Sequence, residues 1–320
     1  MRAFGRRMLA GVAAVVALAA MSGCAQRAAD WTDQDYAIAG GSTTGVYYDY
    51  GGHIASAMSD ALDIRMEVEQ TAGSLDNLRR VGSGEVLLGF AQADAAADAE
   101  MGTGAFEEPL PVVAIARLYD EYLHVVVRGD SEIDSLADLA GSTVSLGARD
   151  SGVSVIATRV LEAAGIDIAT VDDPQLGLSD AIVAMRTGDI DGFFWVGGLP
   201  TPGIEELAAT QPVRLLPIER TWVAAVNARY ANAYRSADLP IGTYGLTESA
   251  PTMAVPNYLI TSASTPDDVV RDVLTALFDA RQEIAAEVPA AALLDRRQAI
   301  FTSPVPLHPA AIEYYRRMRE

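Results

Sequence analysis

The sequence predicts an α/β fold built as two similar lobes, because strand-like and helix-like segments alternate along the body and because its two halves echo each other. Strand-like runs stand at Tyr36 to Ala39, Ile64 to Val68, Val86 to Phe90, Val112 to Ala116, Leu123 to Val127 and Thr143 to Leu146. Between them, apolar residues recur at helical spacing, so the order implies largely parallel sheets. One helix is marked by Ile54, Ala57, Met58 and Ala61, another by Val153, Ile156, Ala157, Val160, Leu161 and Ala164. Ser135 and Asp138 read as the capping box of a short helix that stops at Gly141. Near the end, Thr265-Pro266-Asp267-Asp268 reads as an N-cap, a first-turn proline and an acidic first turn, opening a long amphipathic helix through Phe278.

The echo joins two pairs of segments. Gly40-Gly41-Ser42-Thr43-Thr44-Gly45-Val46 follows a strand and opens a helix, and Gly147-Ala148-Arg149-Asp150-Ser151-Gly152-Val153 repeats its glycine spacing. Further on, Gly84 to Phe90 returns as Gly188 to Phe194. Two extended apolar runs, Leu123 to Arg128 and Met253 to Ser262, are the expected crossovers between lobes. The first lobe is then residues 36–122 completed by 257–320, and the second is 123–256.

The amino terminus reads as a leader. Arg2, Arg6 and Arg7 precede an apolar stretch from Met8 to Ala20, and Met21-Ser22-Gly23 leads to Cys24, the one cysteine of the chain. This resembles a lipobox, so residues 1–23 are expected to be a lipoprotein signal peptide, Cys24 the lipidated anchor, and 24–35 a tether. Ordinary secretion with cleavage near Ala20 or Gly23 is the alternative, and the arginine pair leaves Sec and twin-arginine export both open. Either route places the protein in the periplasm or on the extracellular face of the envelope. Its 23 Lys+Arg, all arginine, against 43 Asp+Glu give a net charge of -20, which excludes nucleic acid as a partner.

Each glycine-rich loop ends a strand and opens a helix, where unpartnered backbone N–H groups and the helix dipole favour anions and polar groups. Facing loops at strand carboxyl ends suggest a cleft between lobes that holds a small molecule. From the first loop come Ser42, Thr43, Thr44, Gly45 and Tyr47 as candidate contacts, and from the second Arg149, Ser151 and Gly152. Thr71 and Ser74 end another strand, with helix capping and ligand contact both open. Gln92, Trp195, Gly197 and Gly198 fall at equivalent strand ends, an amide and a flat aromatic wall being common parts of small-molecule pockets. Arg149 is the one cation in either loop and reads either as a solvated arginine or as a clamp on a ligand carboxylate.

Enzyme chemistry lacks its parts. With Val46 where a phosphate-loop lysine would stand, no Gly-x-Ser-x-Gly elbow, no HExxH or CxxC pattern, and His53, His124 and His308 far apart, neither catalysis nor a metal or cofactor is expected. Asp189 and Asp191 read as solvated rim charges rather than a glycosidase dyad.

These segments together resemble the TAXI branch of the TRAP transporter solute receptors. The likeness runs through Gly40 to Tyr48, Thr71-Ala72-Gly73-Ser74 with Asn77-Leu78-Arg79, and Leu88 to Asp94. It continues through His124 to Arg128, Asp191 to Phe194, Gly198 to Pro202, Gly242-Thr243-Tyr244 and Ala254-Val255-Pro256. The resemblance implies a type II periplasmic-binding-protein fold, two α/β lobes joined by two crossover strands around a ligand cleft. It adds Tyr244 to the candidate contacts. It also implies capture of a glutamate-like amino acid or organic acid, carboxylate-bearing, for the membrane subunits of a TRAP transporter. A ligand-sensing module reusing the same clamshell is the competing reading. Asp49 stands where the branch often has proline, and Arg149-Asp150 where it has small residues.

Overall fold

The computed structural model describes residues 34–230 and 232–318, so the expected leader, Cys24 and most of the tether lie outside the described residues. The chain opens with β1 (Asp35–Ala39), α1 (Val46–Leu62), β2 (Arg65–Glu69), α2 (Ser74–Ser83), β3 (Leu88–Gln92) and α3 (Ala93–Met101). After β4 (Val112–Arg128) come β5 (Val144–Ser145), α4 (Gly152–Ala163), α5 (Leu178–Thr187), β6 (Gly192–Gly197), α6 (Pro202–Thr210), β7 (Val213–Leu215), α7 (Arg220–Arg229) and β8 (Arg235–Leu239). The chain returns through β9 (Ala250–Ser262) and closes with α8 (Asp267–Glu287) and α9 (Pro309–Arg317).

The strands lie in the order β2-β1-β3-β9-β4-β6-β5, with β7 on β4 and β8 on β9. The long strands β4 and β9 therefore run through the middle, antiparallel to each other from Val112 opposite Ser262 to Tyr122 opposite Ala254. On one side β9 borders β3, and on the other β4 borders β6. The sequence reading of largely parallel sheets needs correcting. Only β1–β2, β1–β3 and β5–β6 pair in parallel among the described strands, since every partner of the outgoing and returning crossovers is antiparallel.

The crossover is also longer than the sequence suggested. Val112 to Ala116 and Leu123 to Val127 are parts of one strand, interrupted in register between Arg117 and Asp120. Such irregularities bend a strand and re-aim its side chains. Beyond that point β4 exchanges β9 for β6 at Tyr122, so the passage between the two ends of the sheet lies at 117–122 rather than at Leu123 to Arg128.

Local rules account for the flanking helices. The inner face of α8 buries Val269, Val270, Val273, Leu274, Leu277 and Phe278, each contributing up to about 1.5–3 kcal/mol of burial. Pro266, not Thr265, is its N-cap, and the Thr265 hydroxyl pairs with Thr261 instead, at 2.8 Å. Ile54 and Met58 bury on α1 while Ala61 is exposed, and Ala164 caps α4 rather than packing within it. The second echo has a clear conformational basis: Gly84 and Gly188 are left-handed C-caps (φ 78 and 80), ending α2 and α5 just before β3 and β6.

Candidate functional site

The loops after β1, β2 and β5 and the ends of β3 and β6 meet around a cavity of about 520 Å³. Its lining includes Gly45, Gly73, Gln92, Ser151 and Gly177, which are the N-caps of α1, α2, α3, α4 and α5. Five helices thus aim their amino ends at one space, two of them from beyond the crossover strands. The free N–H groups and positive dipole ends there suit a negatively charged or polar ligand group.

Of the expected contacts, Ser42, Gly45, Tyr47, Thr71, Ser74, Gln92, Ser151, Gly152 and Trp195 line this cavity. The Thr71 hydroxyl accepts from the Gly41 N–H at 2.9 Å and donates to Asn77 Oδ1 at 2.5 Å, while Asn77 Nδ2 donates to the Phe90 carbonyl at 2.8 Å. That chain ties the loops after β1 and β2 to β3. Ser74 Oγ accepts from the Gln92 N–H at 3.2 Å. Trp195 lies over the first loop, 3.1 Å from where a Cβ on Gly45 would stand.

Six expected residues stand outside the cavity lining. Thr43 and Arg149 are exposed. Thr44 instead bridges the cleft, its hydroxyl 3.1 Å from Ser179 Oγ and its carbonyl accepting from the Gly203 N–H at 3.3 Å. Gly197 and Gly198 make room for close packing, since a Cβ there would lie 2.4 Å from Trp195 Nε1 and 3.2 Å from Val46 Cγ2. The Tyr244 hydroxyl accepts from the Thr201 N–H at 2.7 Å and lies 3.3 Å from His124 Nε2, an anchor behind the site.

The walls of the cleft touch. Ser42 and Thr44 meet Ser179, the Asp76 N–H donates to the Asp150 carbonyl at 3.2 Å, and Arg79 pairs with Asp150 at 2.7 Å. Gly152 is pressed so near Gln92 that an added Cβ would fall 2.0 Å from Gln92 Oε1. A larger residue there would have to displace the Gln92 amide. The Arg149-Asp150 pair thus serves the cleft through its aspartate, which joins one wall to the other.

Sequence reasoning missed the charged groups of the site. Glu121, on β4, lines the cavity yet is only 1% exposed. Its carboxylate accepts hydrogen bonds from Tyr47 Oη (3.0 Å), Gln92 Nε2 (2.9 Å) and Tyr119 Oη (3.2 Å), while Asn257 Nδ2 donates to Tyr47 Oη at 2.5 Å. Burial, only partly opposed by these neutral donors, pushes its pKa from the ordinary 4.5 up to about 8. Asp76 and Asp180 also line the cavity, and Arg80 is the one cation in its lining. Arg80 is committed to Asp76 (2.9 Å), Glu69 (3.1 Å) and Glu85 (3.0 Å).

Comparison with known proteins fits this geometry. The family model described as the NMT1-like family matches residues 38–318. The chain belongs to the NMT1-like family. Among solved structures, one described as a periplasmic transporter aligns at a TM-score of 0.55 with 15% identity, covering 89% of this chain and 92% of that one. The alkanesulfonate-binding protein SsuA from Xanthomonas axonopodis pv. citri, bound to MOPS, aligns at 0.52 with 14% identity over 89% and 84%. These likenesses establish the two-lobed periplasmic-binding-protein fold. The SsuA structure is described as an alkanesulfonate-binding protein, and at 14–15% identity both likenesses speak to the fold.

Proposed function

We propose that this chain is an extracytoplasmic receptor that captures a small, carboxylate-bearing solute of the glutamate-like amino-acid or organic-acid class and delivers it to the membrane subunits of a TRAP-type transporter. The observation that carries the reading is the convergence of five helix amino ends on one cavity of about 520 Å³. Backbone amides there supply the neutral donors that a carboxylate needs. The volume suits a metabolite of amino-acid size.

In this reading residues 36–122 with 257–320 form one lobe and 123–256 the other, and closure about the crossovers brings both sets of helix ends onto the ligand. The leader-like run and Cys24 support export and anchoring at the envelope, and the segments shared with the TAXI branch support a TRAP partner. The test is solute uptake in vesicles holding the candidate permease, with and without the purified receptor. Receptor-dependent uptake driven by a sodium gradient fits the proposal. Uptake that needs ATP hydrolysis instead would assign the receptor to a different transporter class.

A further inference from the structure

The cleft has an acid at its floor and no free cation in its lining. Glu121 is held by two tyrosine hydroxyls and one amide, all neutral, and Arg80 is taken up by three carboxylates. Beside Glu121, Gln92 Oε1 is buried with no hydrogen-bond partner among the described residues, while its amide nitrogen donates to Glu121. Gln92 is 2% exposed, and that oxygen points at Gly152 across the cleft. A buried acceptor without a donor costs stability, as does a buried carboxylate without a cation, and a single ligand group relieves both.

We infer that Glu121, with Gln92 Oε1 beside it, anchors a cationic nitrogen of the solute, and that the cleft selects acids bearing an ammonium group over the same acids without one. This rests on the cleft reading above and narrows it: helix amino ends take the carboxylate, Glu121 takes the ammonium. The donors around Glu121 do not compete for that role. Burial first, and then the neighbouring Glu121 charge, push the Tyr47 and Tyr119 hydroxyls well above their ordinary range, so both stay neutral; Asn257, from β9, is an amide. The other charged groups in the lining are Asp180, which adds to the preference for a cation, and the paired Asp76 and Arg80.

The arriving ammonium favours the ionised carboxylate, so Glu121 gives its proton to solvent as the ligand binds. With a pKa of about 8, close to one proton should be released per ligand at pH 7.

The experiment is calorimetric titration of the purified chain with matched pairs: L-glutamate and glutarate, L-glutamine and glutaramate, L-leucine and 4-methylpentanoate. Each titration is repeated in two buffers of different ionisation enthalpy to count protons. The expected result is binding of an ammonium-bearing member at least about tenfold tighter than its partner, with proton release. In Glu121→Gln that gap should shrink to about twofold and the release should vanish. A pair bound equally well by the unaltered chain, or tight ammonium binding without proton release, overturns the assignment of Glu121 and leaves the receptor reading standing. Failure of every pair to bind counts against the amino-acid and organic-acid reading itself. The proton count is taken on the unaltered chain, so a Glu121→Gln protein that does not fold leaves the proposal testable.

Discussion

Two buried carboxylates near the strand end at Gln92, Asp94 and Glu121, are both pushed up by burial but meet different partners. Asp94 is 0% exposed and Glu121 1%, so burial acts on both. At Asp94, on α3, Arg159 of α4 supplies a cation at 3.0 Å, Tyr234 donates at 2.6 Å, and Asp98 takes the other arm of the same guanidinium at 2.5 Å. Arg159 also lies over the Tyr230 ring, 4.2 Å from its centroid. At Glu121 only neutral donors approach. The difference teaches which acid is a joint and which is a site: a carboxylate whose partner comes from the same chain ties two elements together. One left with neutral donors at a cavity floor holds its proton until a cation arrives.

The largest expected effect comes from breaking the ion pair at Asp94. Arg159→Met leaves Asp94 and Asp98 buried without their cation and should destabilise the fold by about 3–5 kcal/mol in chemical denaturation. Retention of full stability would mean that the two acids relax or protonate at little cost, and the contrast with Glu121 would lose its basis.

Glu121 sharpens the comparison through pH. An acid whose folded pKa is raised binds its proton more tightly in the folded state. Its contribution is therefore fully present below about pH 4.5 and is lost as pH rises towards 8, by up to about 1.4 kcal/mol per unit. Stability of the unaltered chain minus that of Glu121→Gln should fall across this window and level off above it. A flat difference curve would show that neutral donors suffice to hold Glu121 ionised.

The cleft wall provides a smaller effect. Gly152→Ala places a methyl group against Gln92 Oε1, where the added Cβ would fall 2.0 Å away, and should weaken solute binding by roughly tenfold while the rest of α4 keeps its packing. Undiminished affinity would show that Gln92 can swing aside and that the two walls need not meet so closely. The smallest effect is expected at Arg149, which is exposed and outside the cavity lining. Arg149→Ala should change affinity by less than about twofold, as measured by titration calorimetry. A large loss restricted to acidic solutes would return it to the role of carboxylate clamp.

What the sequence made legible follows from the range of each interaction. The loops at Gly40 and Gly147 could be read because glycine spacing and helix starts are local, and they do open α1 and α4, although Gly45 is an N-cap where Gly152 is already the first helical residue. The faces of α4 and α8 were legible for the same reason. The continuity of β4 was not, since Arg117 and Asp120 interrupt its apolar pattern and their own pairing, at 2.5 Å, is a product of the bend. Glu121 carried a signal that went unused. It is an acid within the apolar strand, two residues from Tyr119 and from Leu123, so strand alternation places all three on one buried face. The partnership of Arg159 with Asp94 and Asp98 had no local signal: those residues are more than sixty positions apart, and only the tertiary fold brings them together.

The central claim is that a solute occupies the space between the walls and holds them together. Small-angle scattering tests it most directly, comparing the free chain with the chain saturated by its tightest-binding partner from the matched pairs. Because contacts to both walls favour the closed arrangement over the open one, the radius of gyration should shrink on saturation. An unchanged radius, with binding verified in the same sample by calorimetry, would contradict closure around the ligand and make the cavity a preformed rigid pocket.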